Sequence, residues 1–236
     1  MAQTDWETIM DAAIRLAAER GLDLHQEPEG LVLAGQGMCL RSGFQGMRGR
    51  ISRGSVQREL LVKAARMKGL AGEPAVVDAT AGLGEDSLLL AAAGFRVLMF
   101  ERDPVIGALL ADSVRLGKDD EGLSEVVGRM SLRLEDSVSG LRGLDFRPDV
   151  VLLDPMFPER TKSASVKKKF QLLHCLERPC EDETELLQAA LAACPRKIVV
   201  KRPAKGPYLA GVRPDYSLSG KAIRYDVVVP QSRGDL

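Results

Sequence analysis

The residues that could do chemistry stand at the ends of short apolar runs. Val76-Val77 ends in Asp78, then Ala79-Thr80-Ala81-Gly82-Leu83-Gly84 leads to Glu85-Asp86 and an apolar segment that reaches Gly94. A small-residue loop between a strand and a helix lets the backbone approach a ligand and points helix N-terminal N–H groups at it. Gly82-x-Gly84, with Ser87 where a third glycine would stand, suits several nucleotide-like cofactors. Glu101 follows Val97-Leu98-Met99-Phe100, where a carboxylate can accept from both hydroxyls of a ribose. Glu135-Asp136-Ser137 follows a third run, and Asp154-Pro155-Met156-Phe157-Pro158 follows a fourth.

The fourth group separates the cofactor classes. A dehydrogenase using NAD accounts for the glycine loop and Glu101 but leaves Asp154 to Pro158 idle. Methylation of an exocyclic amine on a base needs them, because the amine lone pair is delocalised into the ring. A carboxylate on Asp154 and a carbonyl held rigid by Pro155 accept the amine hydrogens and aim the lone pair at an electrophilic methyl group. Phe157 offers a ring on which an extruded base can stack. The methyl of S-adenosylmethionine sits on a sulfonium, so transfer is a direct in-line displacement that depends on positioning and electrostatics. Asp-Pro-x-Phe by itself permits guanine N2 or adenine N6 as the acceptor.

The elements that must hold these residues are legible as alternation. Strand-like runs at 75–78, 96–100, 130–134, 149–153 and 197–201 alternate with helical segments at 85–93, 104–116, about 164–176 and 182–193. Asp103 reads as a helix cap with Pro104 in the first turn. A last strand runs from Ile223 to Val229. Near-continuous apolar strands alternating with helices predict a mostly parallel sheet covered on both faces, with the ligand at the carboxyl ends of the strands. Before this lies a small α+β lobe: a helix over 5–20 closed by Gly21, and strands at 31–33 and 38–40 around Gly35-Gln36-Gly37. Gly43 to Gly54 reads as a loop, and Ser55 as the cap of a helix ending at Lys68. The expected division is 1–50 for the small lobe with its connecting loop and 51–236 for the catalytic domain.

Composition narrows the setting. In 236 residues the apolar fraction is 45% and the charged fraction 28%, enough for one domain with a soluble surface. Lys+Arg and Asp+Glu are both 33, so global charge names no partner. Local charge does: Arg48, Arg50, Arg53, Arg58, Lys63, Arg66 and Lys68 face Glu59 alone, and Arg160, Lys162, Lys167, Lys168 and Lys169 face Glu159. Such patches suit a phosphate backbone. The four cysteines and two histidines lack metal-ligand spacing, so no metal is expected. An acidic, polar start and the absence of a long apolar run predict a cytoplasmic protein with free thiols and no membrane association.

With these residues in view, the sequence resembles the bacterial 16S ribosomal RNA guanine-N2 methyltransferases called RsmJ, over roughly residues 50 to 229. The resemblance rests on Asp78-Ala79-Thr80-Ala81-Gly82-Leu83-Gly84, Glu101-Arg102-Asp103-Pro104 and Asp154-Pro155-Met156-Phe157-Pro158. It continues through Lys162-Ser163-Ala164, Val166-Lys167-Lys168 and Val199-Val200-Lys201-Arg202-Pro203. It implies a Rossmann-like class I fold and transfer of a methyl group from S-adenosylmethionine to N2 of one guanine near the 3′ end of small-subunit rRNA. The cofactor contacts it implies are Glu85-Asp86, Glu101-Arg102, Asp136-Ser137 and Asp154, beside Asp78, Gly82 and Gly84 of the loop. Glu85 stands where the family has arginine, and Asp136 where it has serine. Asp154, Pro155 and Phe157 are the expected catalytic residues. Lys162, Lys167, Lys168, Lys169, Arg48, Arg50, Arg53, Lys201 and Arg202 are the expected RNA contacts. A module that keeps the pocket but only binds RNA is the non-enzymatic alternative.

Overall fold

A computed structural model describes residues 3–67, 69, 72–155, 172, 176 and 182–230. Helix α1 (Gln3–Glu19) buries Ala13 and Ala17 and ends at Gly21, whose φ of +70° turns the chain. Antiparallel strands β1 (Asp23–Glu27), β2 (Gly30–Gly35) and β3 (Met38–Arg41) follow, with β2 central. The β2–β3 turn puts Gln36 and Gly37 both at positive φ, the hairpin that the Gly35-Gln36-Gly37 spelling predicts. Strand β1 was not expected, because only Leu24 of Asp23-Leu24-His25-Gln26-Glu27 is buried and backbone pairing to β2 defines the rest.

The stretch expected as a loop from Gly43 to Gly54 is wound into a 3-10 turn (Gln45–Met47), α2 (Arg48–Ile51) and the start of α3 (Arg53–Val56). The single helix expected from Ser55 to Lys68 is broken into α3, a bend, and α4 (Leu60–Ala65). Val56 and Leu61 both enter the core. Positions five apart lie on well-separated faces of an unbroken helix, so the chain must bend between them.

The large sheet then forms in alternation: β4 (Ala75–Asp78), α5 (Glu85–Ala92), β5 (Arg96–Phe100), α6 (Pro104–Lys118), α7 (Ser124–Val127), β6 (Met130–Arg133), α8 (Ser137–Arg142) and β7 (Val150–Leu153). It closes with α9 (Glu183–Ala192), β8 (Lys197–Pro203), β9 (Tyr216–Ser219) and β10 (Ile223–Val228). Strand order is β6-β5-β4-β7-β8-β10-β9, parallel through β8, with β10 antiparallel to both of its neighbours. The expected parallel strands all form. Edge strand β9 went unread because its Tyr216, Ser217 and Ser219 are exposed and give no apolar run.

Alternation along the strands supplies both faces. Val76, Leu152 and Val199 pack with Leu61, Val62 and the leucines of α5. Val77, Val151, Leu153, Ile198 and Val200 pack with Leu186 and Leu187 of α9. The sequence runs out from β4 to β6 and returns to β7, so order reverses between β4 and β7, where such sheets place their ligands.

The N-terminal elements are fastened to α6. Leu24, Leu31 and Leu33 share a buried cluster with Ile106 and Leu109. Fully buried Asp112 accepts from Leu31 N at 2.8 Å and Ser42 Oγ at 2.5 Å, and its other oxygen pairs with Arg115 at 2.7 Å. Arg20 reaches Asp103 at 2.6 Å beside the cap of α6. Replacing Asp112 by Ala takes the buried acceptor from the Ser42 hydroxyl and leaves the Leu31 amide with Ser42 Oγ alone, at 2.9 Å; we expect a loss of roughly 3 kcal/mol in urea unfolding, with α1 and β1–β3 losing hydrogen-exchange protection first.

Candidate active site

The loop after β4 is held by carboxylates. Asp78 is buried; its Oδ2 accepts from Ser87 Oγ at 2.6 Å and its Oδ1 from Thr80 N at 3.1 Å. This explains the loose glycine spacing: Ser87 occupies the third-glycine position because its hydroxyl ties α5 back to the end of β4. Gly84 caps α5 at φ +75°, and a Cβ there would lie 2.5 Å from Leu110 Cδ1. The positive φ favours glycine, and a side chain there would also displace the Leu110 methyl group.

Glu101 bridges two connections. Its Oε2 accepts from Gly82 N at 3.0 Å and its Oε1 from Asp103 N at 2.8 Å. Each oxygen keeps a second acceptor position, so the group can hold the loop and still receive two hydroxyls. Burial pushes Asp78 and Glu101 each up to about 7, against the pull of their hydrogen bonds. Asp136 caps α8 with Oδ1, accepting from Val138 N and Ser139 N, while Oδ2 stands 3.8 Å from exposed Arg102. Ser137 is the first residue of that helix.

On the other side of the reversal lies the acidic end of β7. Leu153 pairs with Val200, and one residue further Asp154 meets Lys201 of β8. Lys201 Nζ donates to Asp154 Oδ2 at 2.7 Å and to Asp86 Oδ2 at 2.8 Å. The Asp154 backbone N–H donates to Thr80 Oγ1 at 2.6 Å, joining the two halves of the site. Burial raises the Asp154 carboxyl, and Lys201 opposes the rise. Burial alone would lower the Lys201 ammonium, but Asp86 and Asp154 outweigh it and hold it above the usual lysine range. The Asp154 side chain is still 35% exposed, open to an incoming group. Tyr225, opposite Lys201 on β10, is buried below it; burial and the carboxylates of Asp86 and Asp154 raise its phenol.

Asp78, Gly82, Gly84, Glu85, Asp86, Glu101, Asp154 and Pro155 thus gather at one end of the sheet, and Phe157, Lys162, Lys167, Lys168 and Lys169 lie outside the described residues. Lys201 is turned into the site, where its ammonium donates to two carboxylates. One expected RNA contact needs correction. The Arg202 side chain is buried, donating to Glu183 at 3.1 Å and to the Pro207 carbonyl at 2.9 Å, so it fastens the β8–β9 connection. Arg50 is held by both oxygens of Glu59 and Arg48 by Asp120, while Arg53 is exposed. Thr80 and Tyr225 escaped the sequence reading; Tyr225 reads as one more apolar residue of a strand.

The comparisons with known proteins agree with this geometry. Residues 8–230 match the profile of a family of SAM-dependent methyltransferases. A ribosomal RNA small subunit methyltransferase J from Thioalkalivibrio sulfidiphilus is 40% identical, over 94% of this chain and 94% of its own. The chain belongs to this methyltransferase family. Another small subunit methyltransferase J, from Nitrosococcus oceani, is 40% identical over 90% of this chain and 82% of its own. The crystal structure of a SAM-dependent methyltransferase from Neisseria gonorrhoeae superposes with a TM-score of 0.73 at 32% identity, covering 92% of this chain and 85% of that one. The fold is therefore the Rossmann-like class I methyltransferase fold, and its cofactor is S-adenosylmethionine.

The donor set fits that cofactor. Glu101 has acceptor positions that a ribose could use, the positive-φ glycines Gly82 and Gly84 would let a ligand approach the backbone, and the Asp86 and Asp154 carboxylates are of the sign that would suit a sulfonium cation. Among the described residues no group of side chains could hold a metal ion, and no helix is long and apolar enough to cross a membrane.

The raised carboxyls have a pH consequence. Glu101 keeps its proton up to about pH 7 when folded but only to 4.5 as a free side chain. The folded state binds more protons between those values, so this contribution to stability falls as pH rises through the window. Thermal unfolding should show this decline, shallower in Glu101→Gln with the part due to Asp78 remaining. Ribose hydroxyls favour the ionised carboxylate, so calorimetry should find S-adenosylmethionine binding tighter as pH passes 7 in wild type, and weaker and flat in Glu101→Gln.

Proposed function

We propose that this methyltransferase transfers a methyl group from S-adenosylmethionine to the exocyclic N2 amine of one guanine in the 16S rRNA of the small ribosomal subunit, in the cytoplasm. The observation that carries the reading is Asp154: a partly exposed carboxylate at the end of β7, followed by Pro155 and fixed through Thr80 to the glycine loop. The relatives' names supply the substrate class.

Bound cofactor supplies the electrophilic methyl group; the chain's own residues supply position and charge. Glu101 receives the ribose hydroxyls, with Asp136 and Ser137 beside the base of the cofactor. An Asp154 oxygen accepts one hydrogen of the guanine amine and the Pro155 carbonyl accepts the other, which localises the nitrogen lone pair. As the new N–C bond forms, the amine loses its affinity for that hydrogen, and the proton leaves through the Asp154 carboxylate. No strong base is required. Phe157 stacks on the extruded base, and Lys162 with Lys167 to Lys169 holds neighbouring phosphates, aided by Arg53 from α3. Residues 51–236 carry the chemistry in this reading, with residues 1–50 as the smaller lobe beside them.

Methyl transfer to small-subunit rRNA should fall by about two to three orders of magnitude in Asp154→Ala while cofactor affinity changes far less. An undiminished rate would overturn the role of Asp154. Replacing Lys167 and Lys168 together by Ala should weaken RNA binding and flatten its dependence on salt, by about one unit of slope for each phosphate left without its lysine.

A further inference from the structure

The proposed reaction leaves Lys201 without a role, yet its ammonium lies between the carboxylates of Asp86 and Asp154. An ammonium has three N–H donors. Two of them are spent, on Asp86 Oδ2 at 2.8 Å and Asp154 Oδ2 at 2.7 Å. The side chain is 25% exposed, so the third donor has access to the opening. The stem is fixed by its place on β8, opposite buried Tyr225.

The edge of a guanine carries, in succession, the N2 amine, the N1–H donor and the O6 acceptor. If the two Asp154 oxygens receive N2–H and N1–H, the next atom along that edge lies beside the ammonium that touches Asp154 Oδ2. We propose that Lys201 is a specificity-determining residue that donates its third N–H to guanine O6. This rests on the guanine-N2 reading above. The pair then presents acceptor, acceptor and donor to a donor, donor and acceptor. An adenine placed in the same register would set its N1 lone pair against the carboxylate and its N6 amine against the ammonium, two repulsive contacts. Lysine and aspartate therefore act together: the carboxylate reads the N1–H and the ammonium reads O6. Asp86 keeps the lysine in place when no base is present, so no isolated charge is left in the half-buried site.

The test is a cycle of protein and RNA changes, using small-subunit rRNA with guanosine or 6-thioguanosine at the methylated position only. Sulfur keeps N1–H and the N2 amine but is a weak acceptor at position 6. In wild type the sulfur should lower kcat/KM by about tenfold. Lys201→Arg keeps a charged donor and should show a penalty of the same sense. In Lys201→Met the two RNAs should differ by no more than about twofold, because the donor to position 6 is already gone. The same cycle read as RNA affinity with S-adenosylhomocysteine bound gives the answer if Lys201→Met turns over too slowly. An equal sulfur penalty in wild type and Lys201→Met, or no penalty in wild type, would overturn the proposal and leave Lys201 as a structural counter-ion. Absence of methyl transfer by wild type to the unmodified guanine would instead overturn the guanine-N2 reading itself.

Discussion

Glu101 accepts backbone N–H groups from Gly82 and from Asp103, on the connections after two adjacent strands, and Asp78 does the same for Thr80 while receiving the Ser87 hydroxyl. These bonds set the backbone of the glycine loop in a place where a strand has just ended and a helix has not yet begun. Loop amides there would otherwise face solvent or a ligand. Burial costs both carboxylates, and raises each to about 7, but the hydrogen bonds keep them inside. The remaining geometry follows from that fixed loop. Thr80 in it receives the Asp154 amide, and Asp86 at its far end receives Lys201.

The reversal of strand order gives this loop its neighbours. Because β5 and β7 flank β4, Glu101 arrives from one side and Asp154 from the other. The cofactor and the base can then meet over the ends of three adjacent strands without any of the three carrying both binding and transfer. A charge balance runs across the same line. Asp86, Asp154 and Glu101 favour a cationic cofactor, while Lys201 limits the repulsion between the first two.

Much of this was legible in the residues. Parallel strands buried on both faces have to be apolar along their length, and acids that follow such runs stand out, so β4, β5, β7 and the placement of Asp78, Glu101 and Asp154 at one end of the sheet could be read directly. Asp103 and Pro104 gave the start of α6 because capping chemistry is local. Features that depend on partners far along the chain could not be read in this way. Lys201 and Arg202 look like one basic pair after a strand, yet alternation sends one to Asp86 and Asp154 and the other to Glu183. The bend between α3 and α4 is imposed by core packing of Val56 and Leu61 rather than by any breaker residue. Strand β9 exists because β10 offers it a free edge, which leaves no mark in Tyr216-Ser217-Leu218-Ser219.

Mass mapping of modified nucleosides in small-subunit rRNA from cells lacking this protein tests the central claim most directly. The account predicts that one guanine loses its N2-methyl group and that wild-type protein restores it in vitro from S-adenosylmethionine. Retention of every N2-methylguanine, or loss of a methyl group from adenine N6 instead, would contradict it.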